Sequence, residues 1–279
     1  MKFTKMHGIG NDYVYVNTME ETVTDPVSLS VAVSDRHKGI GSDGLILIGR
    51  DDDGMFTMDI YNADGSRGMM CGNGIRCVAK YLYDNGFVTG SEVSIRTASG
   101  VKEISMITED GRMTKARVDM GAPTFEHGSV PYDPAFVRDG KLEVNGQEVP
   151  VVIVGMGNPH CVVFLDGTDV DTLDLAAIGP SFENHPAFPE KVNTEFINLI
   201  DRGTIRMRVW ERGSGETMAC GTGASSAAVA SILKGFCDRG CVTVKLRGGD
   251  LEIAWDGSGN VFMTGPAETI CTGDYLMNI

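Results

Sequence analysis

No run of about 18 apolar residues occurs in this 279-residue sequence, so no membrane-spanning helix is expected. The opening Met1-Lys2-Phe3-Thr4-Lys5 lacks the apolar stretch of an export signal, and a cytoplasmic protein is the expectation. Basic residues are scarce. The 24 Lys and Arg stand against 38 Asp and Glu, a formal net charge of −14, which argues against nucleic acid or an anionic membrane as the main partner. It does not exclude a small anionic substrate, because donors in a pocket act locally. The seven cysteines are an odd number with no export signal, so thiols in a reducing compartment are expected rather than a disulfide framework. Cys237 and Cys241 have no second pair at zinc-site spacing, and Asp51-Asp52-Asp53-Gly54 lacks the alternating carboxylates of a calcium loop, so no metal is expected. Gly39-Ile40-Gly41-Ser42-Asp43-Gly44 spells G-x-G-x-x-G, but a charged stretch precedes it and a strand-like run follows, the reverse of what a dinucleotide site needs. No lysine sits in a recognisable pyridoxal phosphate motif, and no cofactor is expected.

What is present is an ordinary globular composition, 42% hydrophobic and 22% charged, long enough for one large domain or two of ordinary size. Strands are expected over 1–8, 12–19, 45–48, 56–61, 93–107 and 113–120, with a short helix over 26–35. Ile75, Val78, Ala79 and Leu82 recur at helical spacing, with Arg76, Lys80 and Asp84 on a separate stripe. After a less regular stretch (124–146), strands are expected over 149–154, 161–165, 194–200, 205–210 and from 242 to 275, with a helix over 173–183. Residues 224–233 have small or apolar side chains on every side, the pattern of a helix buried all round.

Two segments organise the chain: Met70-Cys71-Gly72-Asn73-Gly74 and Ala219-Cys220-Gly221-Thr222-Gly223. Each places a cysteine on a glycine-rich turn that runs into a helix. Their offset is 220 − 71 = 149, and sliding the chain by that amount superposes Met58 on Met207, Gly86-Phe87 on Gly235-Phe236, Val93 on Val242 and Glu103-Ile104 on Glu252-Ile253. An offset of 147 places Gly8-Ile9-Gly10-Asn11 on Gly155-Met156-Gly157-Asn158. About a dozen identities in order over some fifty residues make an internal duplication of domain size. The expected fold is α+β, two similar domains, each a curved, barrel-like sheet around a central helix. Equivalent residues are then expected on both sides of a cleft, with Cys71 opposing Cys220.

A cysteine just before a helix N-terminus sits among unpaired N–H groups at the positive end of the helix dipole, an environment that favours thiolate. The same N–H groups suit a carboxylate. Two such sites on one substrate fit removal of a proton from one face of an amino-acid α-carbon and its return to the other, one sulfur acting as base and the other as acid. These two motifs, with His7-Gly8-Ile9-Gly10-Asn11-Asp12 and Gly157-Asn158-Pro159-His160, resemble diaminopimelate epimerase over nearly the whole chain. The resemblance implies a pyridoxal phosphate-independent isomerase that interconverts LL- and meso-2,6-diaminopimelate for lysine and cell-wall synthesis, commonly as a homodimer. It implies Cys71 and Cys220 as the acid–base pair, with His160 and Glu211 helping the thiols exchange protons. It implies Asn11, Asn62, Asn158, Asn193, Glu211 and Arg212 as substrate contacts, and the backbone of Gly72-Asn73 and Gly221-Thr222 as the α-carboxylate cradle. Some members carry glutamine where this chain has Gly44. The family fold places the C-terminal strand back in the first domain, so the domains are expected over 1–120 plus 266–279, and 121–265.

The remaining cysteines read as structural, with Cys77 on a helix and Cys161 and Cys271 in core strands. Three rival readings are a proline racemase-like isomerase, a thiol sensor with a reversible Cys71–Cys220 disulfide, and a non-catalytic binding protein. Racemases of the first kind usually have histidine where Asn73 stands.

Overall fold

A computed structural model describes residues 1–276; residues 277–279, which the expected first domain includes, lie outside the described residues. The chain forms two compact units, one of 1–118 with 264 onward and one of 119–263.

In the first unit, β1 (Lys2–Gly8) pairs antiparallel with β2 (Asn11–Asn17), and β2 runs parallel to β3 (Gly44–Arg50). The crossover carries α1 (Pro26–Ser34), with Pro26 at the start of the helix and the Asp25 carboxylate accepting from Ser28 N. Next, β4 (Phe56–Asn62) pairs with β3 and with the short β5 (Arg67–Gly68). The central helix α2 (Gly72–Asp84) crosses to β6 (Glu92–Thr97), which lies parallel to β4. β7 (Gly100–Glu109) and β8 (Arg112–Gly121) complete the run. α2 packs against β1, β2 and β7, so the sheet curves around it.

The second unit opens with β9 (Val137–Arg138), β10 (Lys141–Val144) and β11 (Gln147–Gly155). It repeats the plan with β12 (Pro159–Phe164), α3 (Leu175–Glu183), β13 (Asn193–Asp201), β14 (Thr204–Glu211) and β15 (Gly215–Thr217). Then come α4 (Gly221–Leu233), β16 (Gly240–Lys245) and β17 (Asp250–Trp255), followed by β18 (Val261–Pro266) and, back in the first unit, β19 (Glu268–Asp274) on β1. α4 touches β11, β12, β13, β14, β16 and β17. Ala224, Ser225, Ala227, Ala228, Val229 and Ala230 are fully buried, which only a helix of small side chains inside a closely curved sheet allows.

The duplication is written into the hydrogen-bond register. Leu45↔Tyr61, Tyr61↔Arg67, Phe56↔Ile95 and Val93↔Ile104 recur 149 residues on as Thr194↔Trp210, Trp210↔Glu216, Ile205↔Val244 and Val242↔Ile253. A one-residue slip would turn each strand's core face outward, so conserving every pairing keeps both cores intact.

Two sequence expectations change. The stretch 124–146 is more regular than expected, because Asp139-Gly140 and Asn145-Gly146 both take positive φ at each residue, the geometry of tight hairpin turns, and so pair β9, β10 and β11. Cys271 lies on an exposed face of β19 rather than in the core. On the separate stripe of α2, Arg76 and Lys80 are buried while Asp84 is exposed. Arg76 is fully buried, and donates to Gly72 O at 2.9 Å, Asn73 Oδ1 at 3.0 Å and Pro266 O at 3.1 Å. Lys80 donates to the Met113 carbonyl and pairs with Asp84 at 2.8 Å. Helical spacing separates polar from apolar residues, but does not say which stripe meets a sheet whose carbonyls need donors.

Arg76→Ala is expected to cost about 3 kcal/mol, because it strands buried acceptors and opens a cavity. Urea denaturation of the purified variant checks this; an unchanged midpoint would show that Arg76 does not tie the end of β18 to α2.

Candidate active site

Cys71 and Cys220 occupy the same local geometry. Each is the N-cap of its helix, with φ/ψ of −135°/114° and −126°/114°, and each sulfur accepts the N–H of the third helical residue, Gly74 or Gly223, at 3.3 Å. A side chain at that residue would displace the end of a neighbouring one. A Cβ on Gly74 would lie 2.6 Å from Ile46 Cδ1, and one on Gly223 would lie 2.7 Å from Glu195 Oε1. The first helical turn therefore presses on a strand, and its leading N–H groups, those of Gly72-Asn73 and Gly221-Thr222, belong to the set that a helix leaves without intrahelical partners. This is the chemistry expected for holding a carboxylate.

Beside Cys71 lie two amides, and the buried guanidinium of Arg76 is within the field of its sulfur. The thiol donates to Asn11 Oδ1 at 3.3 Å, and Asn73 Nδ2 donates to the same oxygen at 3.3 Å. Asp43 sets this orientation, because its Oδ2 accepts Asn11 Nδ2 at 2.8 Å and Asp12 N at 3.1 Å. Arg36 in turn binds Asp12 and Asp43 at 3.2 and 3.0 Å. Asn62 lies outside this network, its amide donating to Ser66 Oγ at 2.9 Å.

Around Cys220 the groups titrate. Glu211 accepts from the Cys220 thiol and from the Thr217 hydroxyl, and Thr222 Oγ1 is 3.4 Å from Cys220 Sγ. Burial first, then the charges of Glu211 and Glu195, push the Cys220 thiol well above its ordinary range. Burial also raises Glu211, against the hydrogen bonds from Thr217 and Cys220 and the charge of His160. His160 is fully buried, with Nδ1 2.7 Å from Glu195 Oε1 and Nε2 2.8 Å from Asn158 Oδ1. Asn193 accepts from Arg212 N at 3.0 Å, while the exposed Arg212 side chain donates to Glu190 O at 3.0 Å.

Within their own units, then, Cys71, Asn11 and Asn73 form one constellation, and Cys220, Thr222, Glu211, His160 and Asn158 another. Sequence reasoning missed Asp43, which it considered only as part of a rejected glycine motif. It also missed Glu195, whose signal was a lone carboxylate in the strand-like run Thr194–Ile200.

The fold is shared with a phenazine biosynthesis protein of the PhzF family from Bacillus anthracis (TM-score 0.69, 13% identity, 99% of each chain) and a probable proline racemase from Agrobacterium radiobacter (TM-score 0.69, 16% identity, 99% of this chain and 93% of that one). The chain thus has the two-unit α+β fold of these proteins. Diaminopimelate epimerases from Acetivibrio thermocellus (48% identity over 281 residues, 100% of this chain and 99% of the relative) and Agathobacter rectalis (50% over 284 residues, 98% and 99%) are similar along their whole length. The model of the diaminopimelate epimerase family matches residues 3–126 and 152–270. The chain belongs to the diaminopimelate epimerase family, and is an isomerase.

Glu211→Gln removes a negative charge and a charged acceptor from the Cys220 thiol, so the thiolate should form at lower pH. Iodoacetamide labelling of Cys220, followed by peptide mapping across pH, is expected to show its midpoint moving down; an upward move would contradict the assignment of Glu211 as the acceptor.

Proposed function

We propose that this protein interconverts LL- and meso-2,6-diaminopimelate, with Cys71 and Cys220 acting on opposite faces of one α-carbon. The observation that carries the reading is one N-cap geometry built twice around cysteine, with unlike neighbours. In one direction a thiolate takes the α-proton and the other sulfur gives its own to the opposite face. The enzyme is left with the proton on the other cysteine, so atoms and charge balance. In the reverse direction the roles exchange. A thiol held protonated by burial and two carboxylates, as Cys220 is, suits the acid. Charge spreading from the carbanion onto the α-carboxylate falls on the N–H groups of Gly72-Asn73 and Gly221-Thr222. His160 and Glu211 help the two thiols exchange protons. Asn11, Asn62, Asn158, Asn193, Glu211 and Arg212 bind the rest of a long, doubly zwitterionic substrate. The reaction calls for no cofactor. The protein acts in the cytoplasm as a homodimer, its two domains carrying one catalytic cysteine each.

In deuterated water, the purified protein is expected to exchange the α-hydrogen of LL-diaminopimelate and to leave L-proline untouched. Cys71→Ala and Cys220→Ala should each lower interconversion by about 10²–10⁴-fold or more. Wild-type turnover in either variant would overturn the two-sulfur reading, and exchange with L-proline alone would overturn the substrate. Sedimentation at the monomer mass would exclude the dimer.

A further inference from the structure

Glu195 is a fully buried carboxylate on β13. The parallel register His160↔Asn193 and Val162↔Glu195 puts it on the same sheet face as His160, and its Oε1 lies 2.7 Å from Nδ1 of that ring. Its other oxygen, Oε2, is buried with no hydrogen-bond partner among the described residues. A carboxylate so placed is costly unless a counter-charge accompanies it.

The duplication supplies an internal control. The position equivalent to Glu195 is 195 − 149 = 46, and Ile46 fills the same spot under its helix, lying 2.6 Å from a Cβ on Gly74 where Glu195 Oε1 lies 2.7 Å from one on Gly223. Packing under the first helical turn therefore calls for a side chain of this reach, not for a charge. The position equivalent to His160 is 160 − 147 = 13, a tyrosine. Carboxylate and imidazole occur together, in the half that holds Cys220.

Both nitrogens of His160 face oxygen, Glu195 Oε1 on one side and Asn158 Oδ1 at 2.8 Å on the other. A neutral imidazole has one N–H, so meeting both contacts takes a second proton on the Nδ1–Oε1 axis. The titratable groups around this pair are Glu211 on β14 and the Cys220 thiol before α4, with Cys161 on β12 also within the field of Glu195.

We infer that Glu195 is a positioning residue for the isomerase: through His160 it holds the imidazole oriented and doubly protonated, keeping a buried positive charge for the moment when Cys220 is a thiolate. The inference rests on the role proposed for Cys220. When Cys220 gives its proton to carbon, its new negative charge would otherwise face two carboxylates. With the dyad in place, Glu195 and His160 cancel, and Glu211 is the remaining like charge. The dyad's own proton stays where it is, so the stoichiometry of the reaction is unchanged.

The test compares wild type with Glu195→Gln, with Glu195→Ile (the first unit's own solution) and with His160→Gln, alone and combined with Glu195→Gln. Nitrogen NMR of histidine-labelled wild-type protein at neutral pH is expected to show both His160 nitrogens protonated, and one in either Glu195 variant. The kcat should fall about 10- to 100-fold with KM little changed, the size usual when the orienting partner of a functional imidazole is lost. The double variant should be no slower than His160→Gln. The alkylation midpoint of Cys220 should hold or rise in Glu195→Gln. A fall would mean that Glu195 merely repels the thiolate directly, and would overturn the inference. So would a singly protonated His160 in wild type, a kcat within about twofold of wild type in Glu195→Ile, or additive effects in the double variant. If the isoleucine variant fails to fold, the isosteric Glu195→Gln carries the same readouts. If the protein shows no α-hydrogen exchange with diaminopimelate, the proposed function fails, while NMR and alkylation still decide the dyad.

Discussion

The structure depends on the close approach of a helix start to a strand. At Gly74 and Gly223 the first turn of a central helix presses on β3 or β13 so tightly that a single Cβ would collide with the strand's side chain. That contact fixes where the helix begins, and hence where its N-cap sits. The N-cap is a cysteine in both units, and its sulfur takes the N–H of the very glycine that permits the contact. Packing and chemistry are therefore set by one geometric condition. Loosening it would move the sulfur and the exposed N–H groups together.

Around that common device the two units diverge in electrostatics. The first places two amides beside its thiol, Asn11 oriented by Asp43, a carboxylate one step removed from the sulfur, and Asn73 by the buried Arg76. The second brings carboxylates and a histidine into the shell itself, and burial makes each charge there count for more. A gene duplication that copied a neutral scaffold leaves both halves alike. Here the copied register persists, while Ile46 has Glu195 as its counterpart and Tyr13 has His160. The unlike shells suit a reaction in which the two sulfurs hold different charges at any instant.

Much of this was legible in the chain. The 149-residue offset gave the duplication, because paired strands cannot slip by one residue without exposing a core, so the spacing survives where side chains change. The apolar pattern of residues 224–233 gave a helix buried on all sides, since no polar face was left to meet water. Less legible were short-range turns and long-range partners. The Asn145-Gly146 pair is a hairpin signal, but the strand before it is only four residues long, too short for a pattern of its own. Arg76 and Lys80 read as an ordinary polar stripe, since periodicity does not reveal that their acceptors come from Pro266 and Met113.

Sequence alone determined the family, the two cysteines and their glycine-rich helix starts, because these are local patterns repeated at a fixed distance. Tertiary structure alone decided which oxygen each sulfur meets, that Asp43 turns the Asn11 amide, and that Glu195 lies against His160. Asp43 is 32 residues from Asn11, and Glu195 is 35 residues from His160. Neither pairing follows from residue type or spacing. Each exists because a parallel strand crossover brings two distant segments side by side.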